Sequence, residues 1–465
     1  MDSSSNAATV DPLAAAEVER AEAQQTERRP VTVEELPPPL DPELFREAGG
    51  FIGAFYDCGV TRAPYPNPPL FGVAALVACA GLAGQGYRTP GGVWPNVYTL
   101  GIGDTGCGKE APLKLISSLY AELDEPAAVP PLISDRYGGK PKSGPGFQDE
   151  LLRNGVQVFG CDEVADLLAG MNARGTAAPG ASELSSALLD AFSKSDGYLK
   201  RRAIKKAKDD DTPAGGWNLQ ASLVGSTQPA AFWEAITERN FASGFIGRCL
   251  IVEAAERARN PVRNPLPLCP SPELVAAGRA ILDANGRTVY TNGQRPGPWI
   301  AAYENADADD CAFEIENRFN AEYDEFKRRG DELGMTAAVR GFEKVLKVAL
   351  LHAVSSDPQN PRLTMRGLQW AETIVTGLSR RFCALARRSL AGSKDERLRN
   401  KFLAALRKAG GEMSQRDLFR VAGDASRREL EDALQGLALR EHAEIVEAPP
   451  TGKRGRPAGP IVRLL

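Results

Sequence analysis

The chain reads as an α/β fold built on a mainly parallel sheet, with helical flanks and a small helix-and-strand unit at its carboxyl end. Three observations predict it. Four apolar segments of strand length alternate with segments whose apolar residues recur at helical spacing, the pattern of parallel strands joined by crossover helices. The first of those strands runs into a glycine-rich turn holding a lysine, and the second into two adjacent carboxylates; open α/β sheets collect ligand-binding residues at such strand ends. The composition, 43% hydrophobic and 25% charged over 465 residues, is that of a globular protein and excludes disordered, collagen-like and disulfide-scaffold chains. The length suits roughly two to four domains.

The elements follow in order. Residues 1–40 are rich in Ala, Glu and Pro, carry no aromatic residue and end at Pro37-Pro38-Pro39; an arm that buries so little is expected to be disordered. Its opening, MDSSSNAATVDP, lacks the basic and apolar regions of a secretory signal. Residues 41–93 read as helical. Their run LFGVAALVACAGLA, Leu70 to Ala83, falls short of the roughly 20 residues of a membrane span and is expected to be a buried helix. No membrane partner and a cytoplasmic location are therefore expected.

Residues 94–258 form the core. PNVYTLGIG reads as a strand and APLKLISSLYAEL as a helix, followed by strands in VQVFGCDE (Val156 to Glu163), NLQASLVGSTQP (Asn218 to Pro229) and GRCLIVEA after Arg248. Residues 259–392 open with a loop-laden stretch rich in Pro and Asn that holds one helix. Helices then run from about Asp307 to Ala391 and suit a lid or collar. AGSKDE reads as a linker into residues 393–465.

Eight cysteines occur with no C-x-x-C pair, and only two histidines, His352 and His442. Isolated cysteines in apolar runs act as small buried hydrophobes in a reducing compartment. A zinc site or a Ser–His–Asp triad is poorly supplied.

The sharpest motif is Gly103-Asp104-Thr105-Gly106-Cys107-Gly108-Lys109-Glu110. It fits G-x-x-x-x-G-K between a strand and a helix, the P-loop context. Glycines let backbone N–H groups curl round phosphates, Lys109 neutralises the β and γ oxygens, and the helix start adds positive potential. The residue after the lysine is normally Ser or Thr and supplies a hydroxyl to Mg²⁺. Here it is Glu110, a hard oxygen ligand that can hold the metal but also repels phosphate. About 50 residues on, a strand ends in Asp162-Glu163. Asp162 suits Mg²⁺ held through water, and Glu163 suits polarising an attacking water. At the next strand end Thr227 and Gln228 suit sensing the γ-phosphate, or plain turn chemistry. Arg248 suits an arginine finger reaching a neighbouring subunit's γ-phosphate, or a structural salt bridge; Arg340 is a second candidate.

GDTGCGKE, VFGCDE, GSTQP and GFIGRCLIVEA, in this order, resemble a family of phage- and plasmid-encoded P-loop ATPases. Its members often lie beside or are fused to primases. The layout is also similar to superfamily three helicases of the AAA+ type. The resemblance covers roughly residues 37–355. It implies an AAA+/RecA-like core in which Lys109 binds ATP, Asp162 and Glu163 serve Mg²⁺ and water, and Arg248 acts in trans across a homo-oligomeric ring, rings being the usual closure and a hexamer the expected one. It implies a primase as a partner, although no primase motif lies in this chain.

Two regions suit DNA. Lys200, Arg201, Arg202, Lys205, Lys206 and Lys208 place six positive charges in nine residues between the acidic pair and the next strand. A hairpin there would track single-stranded phosphates in a ring's channel; a solvated loop balanced by Asp209–Asp211 is the bland alternative. Residues 393–465 read as helix (Glu396–Lys408), helix (capped by Ser414), helix (Ser426–Leu439, with Leu430, Leu434 and Leu437 inward) and two short strands round a basic tip. This resembles a winged helix. Arg427 and Arg428 would face a duplex groove, and Lys453, Arg454 and Arg456 at the tip would meet phosphates. From Ser393 onward there are 15 Lys and Arg against 11 Asp and Glu, although the whole chain is −4. The expectation is a Mg²⁺–ATP-dependent DNA motor, a replication helicase or helicase loader of a mobile element. The alternative is a nucleotide-binding switch or origin-binding regulator with little hydrolysis.

Overall fold

Residues 36–125, 132–172, 181–202, 212–236, 240–241, 243–257, 267–286, 298–421, 426–439, 443–446 and 460–464 are described by a computed structural model. The elements below all lie in the unit from Pro38 to Leu465. Helices α1 (Glu43–Glu47) and α2 (Gly50–Arg62) lead into α3 (Pro68–Ala83). Pro68 and Pro69 occupy the first turn of α3, where a missing N–H costs nothing and φ is preset. Every residue from Pro69 to Ala83 is buried. A helix apolar all round must be covered all round, and α3 packs on the central sheet on one side and on helices on the other. Among the described residues it is the one helix long and apolar enough to cross a membrane, and it lies inside the protein.

The chain continues through β1 (Tyr87–Arg88), β2 (Tyr98–Ile102), α4 (Glu110–Glu122), β3 (Tyr137–Gly138), α5 (Gly144–Asn154), β4 (Val156–Asp162), α6 (Val164–Asn172) and α7 (Ala181–Ser193). A hairpin of β5 (Tyr198–Lys200) and β6 (Gly215–Trp217) precedes β7 (Gln220–Thr227), α8 (Pro229–Ala235), α9 (Phe245–Arg248) and β8 (Cys249–Glu253). Five of these strands form one parallel sheet in the order β3-β4-β7-β2-β8. Its inner strands β2 and β7 are buried along their whole length because both faces are covered. The expected parallel α/β sheet is thus present, with one edge strand, β3, that is too short to leave a periodic signal.

The register decides what meets at the carboxyl end. Ile102 lies opposite Thr227 and Glu253, and Asp162 opposite Ser226. The loops leaving β2, β4, β7 and β8 therefore emerge side by side, with β7 standing between the lysine-loop strand and the acidic strand.

Helix α10 (Pro272–Gly286) and the short strand β9 (Trp299–Ile300), which pairs with β1, precede the helices α11 (Ala306–Arg329), α12 (Glu332–Ala338), α13 (Gly341–Ser356) and α14 (Met365–Lys408). One face of the sheet packs with α3, α4 and α13, the other with α5 to α9 and the middle of α14. The expected linker at AGSKDE is not a break: α14 runs through it for 44 residues. Beyond it come β10 (Glu412–Ser414), α15 (Gln415–Val421), α16 (Arg427–Leu439), β11 (Ala443–Val446) and β12 (Ile461–Leu464). The last unit has its own core, in which Leu398, Phe402 and Leu406 of α14 meet Leu418, Leu430, Leu434 and Leu437. Ser414 caps α15, as its sequence position suggests, by accepting the Asp417 N–H at 3.1 Å. Its three strands are antiparallel in the order β10-β12-β11.

Candidate functional site

The loop from Gly103 to Lys109 takes its path from glycine. Gly106 and Gly108 have φ of +77° and +87°, a region that side chains resist. A Cβ on Gly108 would lie 2.2 Å from the Tyr65 carbonyl oxygen. The Gly103 N–H donates to Thr227 O, and Ala254 N–H to Ile102 O, so the loop base is stitched to both neighbouring strands. Helix α4 begins at Glu110, and its positive end faces the same space.

That space is a cleft of about 520 Å³ whose lining includes Thr105, Gly108, Lys109, Asp162, Glu163 and Gln228. The Lys109 side chain is only 9% exposed, and its Nζ makes no hydrogen bond. Its charged neighbour is the Glu163 carboxylate, with Oε1 3.6 Å away. Glu163 is held in turn from β7, where the buried Thr227 hydroxyl donates to Oε2 at 2.8 Å. Its backbone sits at φ +52°, a conformation costing a non-glycine residue on the order of 1 kcal/mol or more. The Glu163 N–H donates to Asp162 Oδ1 at 3.1 Å. The two acids therefore point differently: Asp162 is exposed at the strand tip, and Glu163 turns back over the lysine.

Glu110 opens α4 at the edge of the cleft, and Lys114 Nζ donates to its Oε2 at 2.8 Å. That hydrogen bond and the charges of Lys114 and Lys109 hold its carboxyl below the usual range. Gln228 lines the cleft and stands immediately before α8.

Three residues that the motifs do not announce complete the site. Asn67, fully buried, donates to Cys107 O and Ala255 O, each at 3.0 Å, and accepts the Ala255 N–H at 3.2 Å. It ties the lysine loop to the segment after β8. Arg257 lies over the Tyr65 ring at 4.4 Å, and both line the cleft. Tyr65 and Asn67 come from the one short segment before α3 and Arg257 from far along the chain, and only the Asn-Pro start of α3 leaves a local trace.

The arginines are placed differently from one another. Arg248 stands at the amino end of β8, away from the lysine loop. It is buried, donating to Gly244 O and Ser193 Oγ at 2.9 Å each, beside the Phe192 ring. Burial lowers its pKa, and Arg340 adds to this. Arg340 donates to Glu343 at 3.0 Å. Within this chain the Arg248 guanidinium is thus engaged by Ser193 and Gly244 and does not face solvent.

Of the basic run, Lys200 is exposed on β5 and Arg202 is half-buried. Arg201 corrects the expectation of a DNA contact: it is buried and bidentate to Asp149 at 2.7 and 2.8 Å, an internal ion pair whose charge is already matched. Lys205, Lys206 and Lys208 lie outside the described residues, as do the tip residues Lys453, Arg454 and Arg456 and His442. Arg427 and Arg428 open α16 and are exposed, with Arg427 donating to Glu431 at 2.9 Å. All eight cysteines are free. No protein-family model and no curated protein matches the chain.

Proposed function

We propose that the chain is a DNA-acting ATPase with a P-loop core of AAA+ type and a C-terminal winged helix, working as a replicative helicase or helicase loader of a phage or mobile element. One observation carries the nucleotide reading. Lys109 is a nearly buried ammonium with no hydrogen-bond partner, at the end of a loop whose tight path a Cβ on Gly103 or Gly108 would block. A cation so placed is poorly satisfied by a carboxylate at 3.6 Å and well suited to a phosphate oxygen.

The residues present fit a Mg²⁺–triphosphate. Lys109 and the amides of the loop would take the β and γ phosphates, Asp162 would hold the metal through water, and Glu110 would offer a second oxygen ligand. The metal, when bound, neutralises charge on the phosphates. Glu163 receives the proton of the attacking water, with its carboxylate aimed by Thr227, and Gln228 orients that water. Lys109 leaves Glu163 for the phosphates as nucleotide enters, which frees the carboxylate to act as a base. Arg248 fills the trans role once a neighbour in a ring offers a phosphate in exchange for Ser193 and Gly244. Basic surfaces on the β5–β6 hairpin and on α16 serve single-stranded and duplex DNA. The free cysteines suit a cytoplasmic setting.

Glu110 favours one second reading, a nucleotide-binding switch without efficient turnover, because its charge is engaged by Lys114 and no hydroxyl replaces it. Calorimetry with ATP and Mg²⁺, followed by turnover with and without DNA, separates the two. Binding that disappears in Lys109→Ala, with DNA-stimulated turnover that disappears in Glu163→Gln, supports the motor. Binding without turnover supports the switch, and no binding by the unaltered chain removes both.

A further inference from the structure

The β5–β6 hairpin carries more than charge. Its register places Tyr198 directly opposite Trp217 and Lys200 opposite Gly215. Successive residues of a strand face opposite ways. Leu199 is buried, and Tyr198 and Lys200 share the outer face with Trp217. Trp217 is 66% exposed and Tyr198 45%; large aromatic rings are seldom left so open without use. Their centroids are 5.3 Å apart at 57°. Gly215 is what lets the tyrosine lie across the ribbon, since a Cβ there would meet the Tyr198 hydroxyl at 2.3 Å. The strand is anchored from behind, where the Gln85 amide donates to the carbonyls of Trp217 and Asn218 at 3.1 and 3.0 Å. The result is a pair of presented rings on a fixed backbone, continuous in sequence with the most basic run in the chain.

We infer that Trp217 and Tyr198 form a base-stacking platform for single-stranded nucleic acid, with Lys200 beside it for the phosphates. The occupant follows from the combination. Aromatic faces accept any unpaired base, and flanking cations track the backbone, whereas duplex bases are already stacked and expose no ring face to a hairpin. The inference rests on the proposed action on DNA and adds to it a stacking element that the basic run does not supply. It also moves the recognition role from Arg201, which Asp149 occupies, to the two rings.

The test uses the full chain without nucleotide, with labelled oligothymidylate, oligouridylate and a mixed-sequence duplex as probes. Trp217→Thr keeps a strand-forming residue and removes the ring; it is expected to weaken binding to both single strands by about tenfold or more. Trp217→Phe is expected to stay within about threefold of the unaltered chain. The slope of affinity against salt stays the same in both variants, because no phosphate contact is lost. Tryptophan emission of the unaltered chain is expected to be quenched by oligothymidylate and not in Trp217→Phe. Equal binding by Trp217→Thr, preference for duplex, or a change of oligomeric state with nucleic-acid affinity unchanged overturns the inference. Should Trp217→Thr fail to fold, absence of quenching in the unaltered chain overturns it as well. ATP calorimetry on Trp217→Thr and oligonucleotide quenching in Lys109→Ala keep this outcome separate from that of the ATPase reading.

Discussion

Glu163 is held from three directions: by its own left-handed backbone, by the Thr227 hydroxyl at 2.8 Å and by Lys109 at 3.6 Å. Thr227→Val keeps the volume and β-branching and removes the donor. On the proposed ATPase reading, turnover is expected to fall by about tenfold to a hundredfold as the carboxylate loses its aim, while nucleotide affinity by calorimetry changes little, because the Thr227 hydroxyl is spent on the Glu163 carboxylate. Gly108→Ala behaves in the opposite way. The added methyl would strike the Tyr65 carbonyl at 2.2 Å and oppose φ of +87°; nucleotide affinity is expected to drop below detection with the far-ultraviolet spectrum preserved. The residues of this site divide by how they are written in the chain. Lys109, Asp162 and Glu163 are legible because a turn of glycines and a strand ending in acids are local patterns. Asn67, Tyr65 and Arg257 are not, because burial of an asparagine or a ring over a guanidinium depends on three segments meeting. Arg201 misleads for the converse reason: its charge is visible in the basic run, and its partner Asp149 is more than fifty positions away.

Helix α13 brings two ammonium groups into the interior. Lys347 is buried, donating to Asn96 Oδ1 at 2.6 Å and Trp94 O at 3.2 Å, over the Phe192 ring. Lys344 is buried beside a cavity of about 20 Å³, room for about one water, and its Nζ lies 3.5 Å from Ser379 Oγ. Burial lowers both to about 8. An unfolded lysine keeps its proton to about 10.4, so between these values the unfolded chain binds more protons and stability rises with pH. Denaturant midpoints are expected to increase from pH 8 towards pH 10, and less steeply in Lys344→Met. At pH 7 Lys344→Met is expected to stabilise the protein, since a poorly partnered buried charge is removed without stranding a strong acceptor. Lys347→Met strands two buried acceptors and is expected to cost about 1–3 kcal/mol. On the same helix His352, against Trp370, is lowered to about 4 by burial, with Arg366 adding to it. Unfolded histidine takes up a proton near 6.5, so stability falls as pH drops from 6.5 to 4, and His352→Phe is expected to flatten that limb in an acid-denaturation series. The helical pattern of GFEKVLKVALLHAV is plain in the sequence, but its inward-facing lysines and histidine are not, since residue type alone would put them at the surface.

Across the whole molecule α14 joins what the sequence divides. Arg381 donates to Glu253 at 2.9 Å, at the end of β8 and one residue before the segment that Asn67 ties to the lysine loop. The far end of the same helix supplies Phe402 and Leu406 to the last core. The break read at AGSKDE is absent because alanine, lysine, glutamate and arginine around Gly392 favour helix by more than one glycine costs. The true stop is Gly410-Gly411, with φ of +82° and +95°, a pair of glycines that ends a helix readily. A continuous rod of 44 residues, about 66 Å long, has a phase as well as a length. Each residue inserted near Ser393 would turn the tail module by about 100° and advance it by about 1.5 Å. Two added residues would aim Arg427 and Arg428 roughly backwards, and seven would restore their azimuth to within about 20°. On the proposed DNA-acting ATPase reading, duplex stimulation of turnover is expected to vanish with the first insertion and return with the second, while unstimulated turnover stays level in both. Such periodic recovery is the signature of a crankshaft, and a slack tether would show none.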